Sequence, residues 1–199
     1  IADIAVAGHL SGSAAIFIGG ISIGSLLFDM LYWNFSFLRI GTGGMTAQAY
    51  GRDDMSAAAA TLIRSVFVSM LIAISCILIQ WEFVDFVFLF VKCSPDVRAL
   101  AETYFHIRIW AAPATLTLMA LKGWFIGMQN SVIPMATDLI VNGMNIAGSI
   151  ILAMGLPALG FSGIGFPGIS VGTVAAQYSG LLFAVSMLML RYRKKVFAG

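Results

Sequence analysis

Five apolar runs, at 16–48, 58–81, 99–126, 133–155 and 169–190, each approach or exceed the roughly 20 residues that a helix needs to cross a bilayer. A chain that repeats such runs has few folds open to it. Of the 199 residues, 60% are hydrophobic and 10% charged, with a mean hydropathy of +0.96. A soluble domain carries about a quarter charged residues, so this chain cannot cover its surface with polar groups, and its solvent is lipid. The runs lack the strict alternation of a transmembrane barrel strand. The fold class is therefore all-α, a polytopic bundle of transmembrane helices.

A sixth segment is short. Residues 1–10, "IADIAVAGHL", are apolar and lead into a polar turn. Ten residues of helix rise only about 15 Å, half a hydrocarbon core. With Ile1 rather than Met at the start, they read as the far half of a truncated first spanning helix, and the chain as a fragment. Numbering the helices one to six places Arg52, Arg64, Lys122, Arg191, Arg193, Lys194 and Lys195 on one side, and Lys92 and Arg98 on the other. Seven cations against two orient the first side to the cytoplasm of a cell inner (plasma) membrane. The C-terminal 191–199, "RYRKKVFAG", is then a cytoplasmic linker, and its basic run reads as a topology determinant and lipid-headgroup contact rather than a nucleic-acid site. The aromatic 81–92 stretch is too short to span and is expected at the outer interface. Cys76, inside the 58–81 run, and Cys93, in a loop, read as filler and a loop thiol. No cleavable signal peptide is visible.

Charges inside apolar helices carry the functional information. Arg39 sits about 12 residues, roughly 18 Å of helix, from the cytoplasmic end of helix two. Groups that deep face the bundle or a wet cavity. Asp29, Tyr32, Ser36 and Arg39 share one face at i, i+3, i+7, i+10, and a cavity-lining stripe stands beside the alternative of one buried ion pair that locks packing. Asp138, Asn142, Asn145 and Ser149 repeat the pattern on helix five, and Ser170, Thr173 and Gln177 on helix six. Such groups also serve as interhelical glue. Together they outnumber what packing needs and describe an interior path for a cation or polar substrate.

Asp3 lies about 10 Å of helix below the outer end of its segment. Desolvation there favours the protonated carboxyl, which suits a site that follows a proton gradient. The alternative is a structural ion pair with Arg39 or Arg108. No catalytic constellation appears, so the chain reads as no enzyme and without a cofactor. His9 and His106 are isolated, and "GTGG" (41–44) lacks the lysine of a phosphate-binding loop. Gly20/Gly24, Gly123/Gly127 and Gly168/Gly172 have the spacing of close helix contacts. Pro113 is expected to bend helix four.

Five strings, "ADIAVAGHL", "FLRIGTGGMTAQAYG", "YFHIRIWAAPATLTLMALKGWFIGMQNSVIP", "NGMNIAGSIILAMGL" and "GISVGTVAAQYSG", resemble the MATE (multidrug and toxic compound extrusion) family, its DinF-like branch most closely. The resemblance covers essentially the whole chain. It implies one six-helix amino-terminal lobe of a twelve-helix, two-lobe transporter that exchanges protons or sodium ions for organic compounds. It also implies that Asp3 is the cation site, that Asn145 and Thr173 surround it, and that Ser149 stands where many relatives carry a second aspartate. Losing that charge favours H+ over Na+, although Na+ near Asp3 stays open, because a sodium site wants several oxygens and carboxylate charge. Expected partners are a small organic substrate, membrane lipid and the missing carboxy-terminal lobe, and the fragment alone is expected to transport nothing. Rival readings are a flippase of lipid-linked precursors, whose cavity should be more strongly cationic, and a channel or structural membrane protein.

Overall fold

The computed structural model describes residues 2–8, 14–155 and 162–196. His9, residues 197–199 and the side chains of Lys194 and Lys195 lie outside that description. Among the described residues the chain is a bundle of α-helices: α1 (Ala2–Gly8), α2 (Ala14–Trp33), α3 (Phe37–Gly51), α4 (Met55–Leu78), α5 (Gln80–Phe88), α6 (Pro95–Arg108), α7 (Ala112–Gly127), α8 (Val132–Met154) and α9 (Phe166–Val196). Five stretches are long and apolar enough to cross a membrane: Ala14–Gly51, Met55–Leu78, Pro95–Gly127, Val132–Met154 and Phe166–Arg193. Their outer faces carry Leu26, Phe67, Leu139, Leu182 and Leu190, all exposed. In water such a belt would be an aggregation surface; in lipid it is solvated.

The 16–48 run is two helices rather than one. Between α2 and α3 the backbone tightens into i→i+3 bonds, Phe35 to Tyr32, Ser36 to Trp33 and Leu38 to Phe35. No proline causes this. Asn34 turns its amide back onto the Met30 carbonyl at 2.7 Å, the local competition with the helix ladder that short polar side chains provide. Helix four is interrupted as well, by a 3-10 turn at Ile109–Ala111 just before Pro113. Proline cannot donate to the carbonyl four residues back. That carbonyl, of Ile109, accepts the Ala112 N–H instead, and the Tyr178 hydroxyl of a neighbouring helix donates to the Trp110 carbonyl in the same turn at 2.9 Å.

The glycine pairs all sit where helices touch. A Cβ on Gly20 would stand 2.7 Å from Leu100, and one on Gly24 2.5 Å from the Tyr104 ring. Gly123 meets the Arg39 backbone, Gly127 that of Gly43, and Gly168 and Gly172 those of Leu152 and Ser149. Absent side chains thus bring α2 onto α6, α3 onto α7 and α8 onto α9, the approach that small residues allow in lipid. Two apolar clusters fill the bundle. One surrounds Phe28, Tyr104 and Phe105, and the other Trp124, Phe125 and Tyr192. Lys122 lies within α7, one turn before its end, as the 99–126 run places it. Cys76 is buried and Cys93 half-buried, both as free thiols.

Candidate functional site

Asp3 occupies the first turn of α1 and is half-buried against three other elements. Its Oδ2 accepts from the Tyr104 hydroxyl of α6 at 2.7 Å and from the Thr173 hydroxyl of α9 at 3.2 Å. Its Oδ1 accepts from the Ser149 hydroxyl of α8 at 3.4 Å. Three hydroxyls from three helices supply the partners a buried carboxylate needs. Around them runs a second ring of bonds. Asn145 donates its amide to Thr173 Oγ1 at 2.8 Å, and Arg108 donates to Tyr104 Oη at 2.8 Å.

Glycines make this convergence possible. Gly24 leaves the space in which the Tyr104 ring lies, and Gly172 lets α9 approach the backbone of Ser149. Arg108 is held over the faces of Phe28 (4.8 Å) and Tyr104 (5.4 Å), a placement that the ring quadrupoles favour. The guanidinium reaches Asp3 only through the Tyr104 hydroxyl. Among the described residues neither Arg108 nor Arg39 forms an ion pair with Asp3.

Beside the carboxylate is a cavity of about 200 Å³, with Asp3, Ser25, Arg108, Asn142, Asn145 and Gln177 in its wall. It can hold water or a small ion. A second cavity, of about 630 Å³, has Asp29, Tyr32, Ser36 and Arg39 along one side and Met119 and Lys122 on the other. That volume is in the range of organic-ligand pockets. Among the described residues, neither Asp29 nor Arg39 belongs to an ion pair.

The sequence-derived candidates therefore separate into two groups. Asp3, Asn142, Asn145, Ser149, Thr173 and Gln177 gather at the small cavity or directly behind it. Asp29, Tyr32, Ser36 and Arg39 line the large one. Asp138 joins neither wall, because it accepts a hydrogen bond from Lys122 as an ion pair. The helix-five stripe is thus divided between an ion pair and the small cavity. Tyr104, the shortest contact of Asp3, was not among the candidates; its i, i+4 spacing to Arg108 in "YFHIR" was the available signal. A sodium ion would find one carboxylate and hydroxyl oxygens, with a guanidinium tied to the same tyrosine. That donor set is poor in charge for a metal.

The MatE family model matches residues 1–151. DNA damage-inducible protein F of Escherichia coli (strain K12) is 31% identical over 189 residues, covering 95% of this chain and 39% of that protein. The probable multidrug resistance protein NorM of Rhizobium meliloti (strain 1021) is 28% identical over 111 residues, covering 56% of this chain and 24% of that protein. The chain thus spans well under half the length of these relatives. Among solved structures, a MATE transporter in the bent conformation superposes with a TM-score of 0.85 at 18% identity, over 98% of this chain and 42% of that one. An inward-facing multidrug resistance MATE family transporter of the MOP superfamily gives 0.81 at 18% identity, over 94% and 40%. These likenesses establish the fold.

Proposed function

The chain belongs to the MatE family, and on that premise we propose that it forms the amino-terminal lobe of a proton-coupled antiporter that exports drugs or other organic compounds. The supporting observation is the Asp3 carboxylate, held by hydroxyls from three helices beside a cavity of about 200 Å³. Those hydroxyls suit a group that gains and loses a proton. With Asp3 charged, Thr173 donates to it. With Asp3 protonated, the same hydroxyl has the Ile169 carbonyl at 3.2 Å as its acceptor, and the new carboxyl proton can go to a hydroxyl oxygen. Neither state strands a buried donor, which would otherwise cost about 1–3 kcal/mol.

Coupling then follows from differential affinity. Proton binding at Asp3 favours one state of the lobe, substrate favours the other, and alternation between the two moves each in its own direction. The cavity of about 630 Å³ along Asp29, Tyr32, Ser36 and Arg39 offers room for the organic substrate. Its lining holds one acid, Asp29, as well as Arg39, and its Lys122 is paired with Asp138. That balance favours an organic-compound exporter over a flippase of polyanionic lipid precursors. The positive-inside bias supports a cytoplasmic position, at the inner membrane, for the segment after Arg191.

Asp3→Asn in the full-length parent tests this reading. Asparagine keeps the shape but exchanges no proton, so proton-driven efflux should be abolished while the melting temperature in detergent stays the same. Normal proton-driven efflux from the variant would overturn the assignment.

A further inference from the structure

The face of α3 turned away from Arg39 has no part in the antiport scheme, yet it borders two connected cavities against α4. The first, about 210 Å³, is an apolar slot with Phe37, Leu38, Met45 and Val68 in its walls. Gly41 opens it further, since a Cβ there would meet nothing within 4 Å. The second, about 260 Å³, shares Met45, Thr61 and Arg64 with the first and continues towards the α3–α4 turn, where Gln48 and Arg52 enter. The slot therefore runs from hydrocarbon-like walls to a mouth with two guanidiniums.

Neither guanidinium is neutralised. Among the described residues, no ion pair includes Arg52 or Arg64. The acids nearest in sequence are Asp53 and Asp54. Asp54 caps α4 by accepting from the Ala57 N–H at 2.9 Å, and neither lines the cavities. Two cations therefore stand at the end of an apolar slot, on the side that the charge bias assigns to the cytoplasm. Arginine binds phosphate oxygens in pairs, and basic pockets between transmembrane helices on that side hold anionic headgroups. A free phosphate would use the mouth and leave the slot empty. A zwitterionic lipid would use the slot but bring its own cation to the arginines.

We propose that the α3–α4 groove binds one anionic phospholipid, its phosphate on Arg52 and Arg64 and an acyl chain in the slot beside Phe37, Met45 and Val68. The inference is independent of the transport reading and needs only that the chain spans a membrane.

The test uses the full-length protein in detergent, titrated with phosphatidylglycerol or phosphatidylcholine and read by lipid retention in native mass spectrometry. Phosphatidylglycerol should be retained about tenfold more tightly than phosphatidylcholine. Arg52→Gln with Arg64→Gln should bring the ratio close to one, while Val68→Trp, which fills the slot, should weaken retention of phosphatidylglycerol. Equal retention of the two lipids by the wild type would overturn the proposal, as would a preference that survives the double substitution. Should the double variant not fold, undiminished retention of phosphatidylglycerol by Val68→Trp overturns it instead. Inorganic phosphate that displaces the lipid at equal concentration would reduce the site to a bare anion pocket, and that also overturns it.

Discussion

Asp3 and the Asp29–Arg39 stripe both put charge inside apolar helices, yet the bundle treats them in opposite ways. Asp3 receives hydroxyls from α6, α8 and α9 across as many as 170 residues of sequence. Asp29 and Arg39 come from one continuous stretch, face a cavity about three times larger, and form no ion pair among the described residues. A small ion must be held by groups that converge on one point. A large ligand needs a wall with separated charges and room in front of it. On the proposed reading, depth in the membrane does not distinguish the two roles; the number of helices that supply partners does. Disturbing the convergence should therefore cost much more than disturbing the wall.

After Asp3 itself, the largest effect is expected from Gly24→Ala, a single methyl added at the helix contact behind the Asp3 site. Helix propensity alone favours the alanine by about 1 kcal/mol. The methyl would, however, stand 2.5 Å from Cδ1 of Tyr104, whose side chain is fully buried. Overpacking of that kind costs about 1–3 kcal/mol, and here the displaced group is the one that holds Asp3. Proton-driven efflux by the full-length parent should fall more than tenfold, with a lower melting temperature in detergent. An unchanged efflux rate would show that the position of Tyr104 does not matter to the site.

Much of this arrangement was legible in the sequence. The long apolar runs fixed the helical class because lipid leaves the backbone no other partner, and glycines spaced four apart marked the three close helix contacts. Asp3 stood out because a carboxylate in an apolar segment is costly. The break at Asn34 was not legible. Asparagine inside an apolar run can as easily point elsewhere, and only the folded chain shows its amide on the Met30 carbonyl. Tyr104 escaped notice for a related reason. A phenol is common in membrane helices, and its partner lies 101 residues away.

Tyr104→Phe removes one oxygen and little volume, so it sharpens the comparison at lower cost. Asp3 would lose its shortest hydrogen bond, and Arg108 its hydroxyl acceptor. Arg108 lines the small cavity, where water can take over part of the bonding. The loss should then be about 1–2 kcal/mol, read as roughly a tenfold fall in proton-driven efflux with little change in the melt. A fall in melting temperature with efflux intact would make the hydroxyl a packing element rather than part of the proton site.

The smallest effect belongs to Lys122 and Asp138, and it bears on the large cavity. Lys122 is 19% exposed and Asp138 57% exposed, so water reaches the pair chiefly from the aspartate side. Screened pairs of this kind contribute about 0–1 kcal/mol. A double-mutant cycle with Lys122→Met, Asp138→Asn and both together, read by melting temperature, should give a coupling energy in that range, and efflux should change less than threefold. A buried pair behaves differently, since loss of one partner strands the other charge at about 3–5 kcal/mol. A coupling that large would mean the pair is sealed from water and Lys122 is fully neutralised. Arg39 would then be the one cation among the residues lining the large cavity, with Asp29 opposite in sign on the same wall. A small coupling leaves Lys122 free to exchange Asp138 for an acidic group on the substrate, and the cavity would then discriminate ligands by charge as well as by size.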